Sequence, residues 1–197
     1  ASEAIGTSYK GKSIGTISQF TVFSFQAIQI VNCAEGGALA CLNRLDSELA
    51  RVKRWFGIDR KNRVPNKSGY FDFDIQTVGF GYHLTNLAAA IGIESLKYIQ
   101  DSLKHRQRIA EFYINELKNI SGITLLKTFM DRIPSHHFFT IHVDKREDFY
   151  QKLKENGIET SIVHYRNDAY SVFGGLRKDL PQLDRFSKSY IALPTHM

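Results

Sequence analysis

The 197-residue chain is short of several things that would give it an unusual character. It has two cysteines, Cys33 and Cys41, too few for a disulfide framework. That usage suits a reducing compartment, so the expected location is cytoplasmic. Four prolines and 14 glycines leave no low-complexity linker. No stretch approaches the roughly 18 uninterrupted apolar residues of a membrane-spanning helix. Residues 1–20 carry no charged start followed by an apolar middle. Seven histidines fall at irregular intervals, and the cysteines give no paired spacing, so no metal site is expected. No G-x-S-x-G elbow surrounds Ser24.

What is present is ordinary globular composition, 43% hydrophobic and 23% charged, which excludes a disordered chain, a collagen and a coiled coil. Lys and Arg outnumber Asp and Glu by 26 to 20, a net charge of +6. A basic balance suits nucleic acid, an anionic membrane surface or a phosphorylated small substrate. The cations are spread out. The densest stretch, Arg51-Val-Lys-Arg54 through Arg60-Lys-Asn-Arg63, holds one aromatic pair, Trp55-Phe56, which argues against nucleic acid.

Patterning predicts short runs at 13–17 and 21–25, the second a β-branched and aromatic strand. After a loop, Gly36-Gly37 opens an apolar strand over 38–42, expected to be buried on both faces. Asn43 caps a helix that Gly57 ends. Residues 58–80 form a long polar connection, a length that points to function or to covering a surface. Thr85 caps a helical pattern running to Gly122: one helix bridging two domains, or two with a break near Asp101-Ser102. A strand over 137–143, a helix over 145–156, a strand over 158–165, an irregular loop over 166–180 and a short helix from Pro181 follow. The order reads as an α/β portion joined to a small α+β domain.

Two places carry candidate chemistry. Ser24 to Gly37 joins a strand-end hydroxyl to a polar loop and E-G-G, which reads as an anion cradle or as a plain hairpin connection. His136-His137 and His164-Tyr165-Arg166-Asn167-Asp168 lie at strand edges, facing a cleft or simply solvent.

The segments A-S-E-A-I-G-T-S-Y-K-G-K at 1–12, F-S-F-Q-A-I-Q-I-V-N-C-A-E-G-G-A-L at 23–39, R-W-F-G-I-D-R at 54–60 and G-Y-H-L-T-N-L-A-A-A-I-G at 81–92 recur in one family. N-G-I-E-T at 156–160, H-Y-R-N-D at 164–168 and I-A-L-P at 191–194 complete the set. Together, in this order, the chain resembles the DegT/DnrJ/StrS nucleotide-sugar aminotransferases, pyridoxal-phosphate enzymes of the aspartate-aminotransferase fold type. The resemblance implies an α/β fold: part of a large α/β/α cofactor domain over 1–100 and a small α+β domain over 101–197. It implies a protein whose large-domain sheet mostly precedes Ala1, and which continues with one more helix after the L-P turn. The ancestral reaction moves an amino group from glutamate to a keto-deoxy sugar on a nucleotide, for lipopolysaccharide or another surface glycan. Active sites at a subunit boundary imply a homodimer or higher oligomer.

By the same resemblance, Ser24 holds the cofactor phosphate and Glu3 lies near the cofactor's phenolic oxygen. The lysine that joins the cofactor covalently is replaced by Gln29. Gly81 stands where the family's asparagine reaches the neighbouring subunit, and His83 takes an arginine position. His83, His137, His164, Tyr165, Arg166, Asn167 and Asp168 are the implied substrate contacts, with Arg166 suited to gripping a phosphate. An amide nitrogen is not nucleophilic, so covalent cofactor binding and transamination are not expected. Apolar Ile30 and Val31 beside Gln29 favour natural drift over a single designed change. The competing expectations are a non-catalytic sugar-nucleotide-binding or assembly protein and a pyridoxamine-phosphate-dependent sugar dehydratase. In the latter, His83, His136 or His137 would replace the missing base.

Overall fold

The computed structural model describes residues 1–196. In chain order the strands and helices are β1 (Ser8–Tyr9), β2 (Lys12–Ser13), β3 (Phe20–Ser24), β4 (Gly37–Cys41), α1 (Arg44–Lys53), β5 (Val64–Pro65) and β6 (Phe71–Asp72). They continue as α2 (Asn86–Lys97), α3 (Ile99–Leu117), β7 (Ile123–Leu125), β8 (Arg132–Ile133), β9 (Phe139–Val143), α4 (Arg146–Glu155), α5 (Pro181–Ser187) and β10 (Tyr190–Leu193). The chain divides into two compact units. The first is residues 1–100 with Asp131–Ser135, and the second is 101–130 with 136 onward.

In the first unit, β3 and β4 form an antiparallel ribbon in the register Phe20↔Cys41 to Ser24↔Gly37. A second small sheet runs β2-β1-β8, and Thr7 Oγ1 ties it by accepting the Ser135 N–H at 3.0 Å. The strand expected over 38–42 exists, but it is not buried on both faces. Its first three residues are exposed, because β3 is its sole strand neighbour among the described residues. Asn43 and Thr85 are N-caps, accepting from the N–H of Asp46 and Ala88. The long connection holds an unforeseen hairpin, β5 against β6. The helical pattern from Thr85 breaks at Tyr98, where ψ reaches 2°, rather than near Asp101.

The second unit is better packed. Its sheet runs β10-β9-β7, all antiparallel. β9 alternates, turning Phe139, Ile141 and Val143 inward against Ala110 of α3, with Ile191 and Leu193 of β10 beside them. Leu153 and Phe149 of α4 and Tyr113, Ile114 and Leu117 of α3 close that core. The strand expected over 158–165 reduces to one bridge, Ser161↔Ala192, which occupies the outer edge of β10. Pro181 opens α5 as expected, where its missing N–H costs nothing. β10, with all residues buried, was not foreseen as a strand.

Candidate functional site

The loop from Ser24 to Gly37 is closed at its neck, where the Phe25 N–H donates to Gly36 O at 2.9 Å. Gly37 has to lack a side chain, since a Cβ would stand 2.7 Å from Phe23 O. The loop is fastened to α2: the Asn32 N–H donates to Ser95 Oγ at 3.2 Å, and buried Cys33 sits where a Cβ on Gly92 would meet it at 3.2 Å. Within the loop, the N–H groups of Gln29, Cys33 and Glu35 donate to Gln26 O, Phe25 O and Cys33 O. Those of Gln26 and Ile28 donate to Ser24 Oγ and Gln26 Oε1. The backbone half of the anion-cradle expectation therefore fails for these residues, because the loop uses those donors to hold its own shape. The Ser24 hydroxyl accepts at 3.3 Å and keeps its own proton for another acceptor.

Gln29 ends the turn that this bonding builds. Its side chain is half-buried, and Oε1 is shielded from solvent with no hydrogen-bond partner among the described residues. An unsatisfied buried acceptor costs about 1–3 kcal/mol, so a donor at this point would be stabilising. The same unit holds two other candidates. Glu3 is half-buried, and its carbonyl accepts from Ser135 Oγ at 3.1 Å. His83 is exposed and edge-on to Trp55, with ring centroids 4.2 Å apart.

The remaining candidates lie in the second unit. His137 is buried, edge-on to Phe138, and its carbonyl accepts from Arg106 Nη1 at 3.0 Å. The same Nη1 donates to His136 O and Thr195 Oγ1. Burial pulls the His136 imidazole pKa below its usual range, with Glu111 opposing, so His136 favours the neutral form. His164 lies edge-on to Phe138, and its carbonyl accepts from the Tyr190 hydroxyl at 2.6 Å. Tyr165 and Asn167 are exposed.

Arg166 departs from the phosphate-gripping expectation. Its Nε and Nη2 form a fork with Asp168 at 2.9 and 2.6 Å, and Nη1 reaches Asp184. Hydrogen bonds from Arg166, then from the Arg177 N–H, hold the Asp168 carboxyl far below the usual range. The guanidinium is committed to bracing the 166–184 segment rather than offered to a ligand. Sequence reasoning missed Arg106, which lies mid-helix and gives no local signal. It also passed over a cleft lined by Arg51, Arg54, Trp55, Arg60 and His83, whose signal was the basic stretch over 51–63.

No helix among the described residues is long and apolar enough to cross a membrane. A UDP-4-amino-4,6-dideoxy-N-acetyl-beta-L-altrosamine transaminase from Campylobacter jejuni is 27% identical over all of this chain and 52% of its own length. The sugar aminotransferase CalS13 from Micromonospora echinospora superposes with a TM-score of 0.87 at 30% identity, covering 97% of this chain and 51% of that one. Spr1654 from Streptococcus pneumoniae, solved in a PMP form, gives 0.82 at 25% identity, covering 100% of this chain and 51% of that one. The chain thus spans about half the length of the curated relatives it matches. A sequence model of the DegT/DnrJ/EryC1/StrS aminotransferase family covers residues 1–197, and the chain belongs to that family.

Proposed function

We propose that this chain is the C-terminal part of a nucleotide-sugar aminotransferase homologue that has lost covalent cofactor chemistry. In this reading residues 1–100 belong to the large cofactor domain and 101–197 form the small domain. The Campylobacter jejuni relative is named for a UDP-linked amino-dideoxy sugar, which supports the same substrate class here. Surface glycan synthesis, glutamate as amino donor and a cytoplasmic homodimer complete the reading as the family resemblance implies them.

The observation that carries it is Gln29. Its carboxamide stands in the loop after Ser24 with Oε1 buried and unpartnered. When bound, pyridoxal phosphate supplies an electron sink for bond changes at an amine-bearing carbon. The Ser24 hydroxyl, with its proton uncommitted, fits a phosphate oxygen of that cofactor. Gln29 does not fit covalent attachment. Its nitrogen lone pair is delocalised into the carbonyl, so it neither attacks an aldehyde nor carries a proton between carbons. It can only accept at Oε1 or donate from its amide nitrogen. Non-covalent retention without transamination follows.

The test is to incubate the chain with pyridoxal phosphate, reduce with borohydride and map labelled peptides. We expect no stoichiometric label on any lysine of the parent, and a label at position 29 in Gln29→Lys. A stoichiometric adduct on one lysine of the parent would overturn the proposal.

A further inference from the structure

We infer that Gln29 reverses the site's choice between the two forms of the cofactor. The loop after Ser24 takes pyridoxamine phosphate in preference to pyridoxal phosphate, with the Gln29 carboxamide oxygen accepting from the ligand's ammonium. The inference rests on the non-covalent cofactor site proposed above and deepens it. The two forms share a ring and a phosphate and differ at one carbon, which bears an aldehyde in one and an aminomethyl group in the other. Selectivity is a difference between affinities, so contacts to the shared parts cancel and the side chain facing that carbon decides.

Gln29 Oε1 is shielded from solvent and has no hydrogen-bond partner among the described residues. Such an oxygen calls for a donor. An aldehyde brings no proton to it, whereas an ammonium brings three, and a bond from an ionised donor is the stronger kind. The loop sets the acceptor in place before any ligand arrives. The Gln29 N–H donates to Gln26 O at 2.9 Å, the Ile28 N–H to Gln26 Oε1 at 3.1 Å and the Gln26 N–H to Ser24 Oγ at 3.3 Å. On the other side of Gln29, Val31 and Cys33 are buried and the Asn32 N–H donates to Ser95 Oγ at 3.2 Å. Order of this kind lowers the cost of binding.

The charge pattern of the segment points the same way. Residues 13–43 contain no lysine, arginine or histidine, and their one charged side chain is Glu35. On α2, to which the loop is fastened, Lys97 is paired with Glu94 at 2.5 Å. A cationic ligand group therefore meets no like charge from the loop itself. A lysine at position 29 would act in the opposite sense twice over. Its own ammonium would repel the ligand's, and its free amine would capture the aldehyde. The carboxamide removes both effects and adds an acceptor. The exchange that ends covalent attachment is thus the one that turns the preference toward the amine.

The experiment titrates the full chain calorimetrically with pyridoxamine phosphate, pyridoxal phosphate and 4-deoxypyridoxine phosphate. The last carries a methyl at the same carbon and forms no imine. We expect pyridoxamine phosphate to bind about tenfold or more tightly than either of the others. That ratio should fall close to one in Gln29→Leu and widen in Gln29→Glu, whose carboxylate pairs with the ammonium. Thermal melts give a second readout. Gln29→Leu removes the unmatched acceptor, so it should raise the melting temperature of the unliganded chain, while pyridoxamine phosphate should raise that of the parent by more than that of the variant. A merely structural glutamine would give the reverse order without ligand. Equal affinity of the parent for the amine and the methyl analogue, or no saturable binding of the amine, would overturn the inference, as would a ratio unchanged in Gln29→Leu. The ratio in the parent needs no variant, so it decides the matter even where a variant fails to fold. A borohydride-fixed label on a parent lysine would refute the loss of covalent chemistry, whereas a ratio of one without label would refute the selectivity alone.

Discussion

One carboxylate shows how far a single residue's surroundings reach. Asp168 accepts both arms of the Arg166 guanidinium fork and the Arg177 N–H, so its folded-state pKa lies far below the unfolded value. A depressed carboxyl contributes stability that is complete above its unfolded pKa of about 3.9 and drains away as pH falls toward the folded value. We therefore expect Asp168→Asn to lower the melting temperature most at neutral pH. The gap to the parent should narrow steadily below about pH 4. Thermal melts of both proteins across the acid range check this, and a constant gap would mean that the pair contributes no pH-dependent stability. Gln29 is the opposite case: an acceptor that the fold buries and leaves unmatched. Asp168 accepts three hydrogen bonds, whereas Gln29 keeps an acceptor without a partner among the described residues.

At the scale of elements, β9 and β10 carry the second unit. Ile191 and Ile141 are both fully buried and lie opposite each other in the ladder. Ile191→Ala removes packing on a strand with no exposed residue, and we expect it to cost about 2–5 kcal/mol, read by denaturant unfolding. Where each element was legible depended on whether its signal was local. Asn43, Thr85 and Pro181 mark helix starts by side-chain chemistry within one turn, and all three stand where expected. β9 was legible because its alternation reports one covered face. β10 was not, because Tyr-Ile-Ala-Leu buries every residue and shows no period. The segment over 158–165 has strand-like residues, yet among the described residues only Ser161 of that segment forms a β-bridge. The Ser24–Gly37 loop was found from its hydroxyl and glycines, but the internal use of its N–H groups follows from a fold the residue types do not dictate. Arg166 was legible as a cation and illegible as a brace, since Asp184 lies 18 residues away.

For the molecule as a whole, the two units are unequally finished. Among the described residues the β3–β4 ribbon has two strands, with Phe20 48%, Val22 62% and Leu39 46% exposed. A two-stranded ribbon is marginal alone, and open apolar edges invite pairing with another chain. We expect the isolated chain to self-associate at micromolar concentration; static light scattering showing a clean monomer would contradict this. The second unit has its own core and does not share that liability to the same degree. Trp55 adds one more consequence. The sole indole belongs to the less finished unit, and the better packed one has none. Emission excited at the red edge is thus blind to half of the chain, whereas circular dichroism sees helices from both. The protein carries a built-in optical partition, through which loosening of one half can be followed without labelling either.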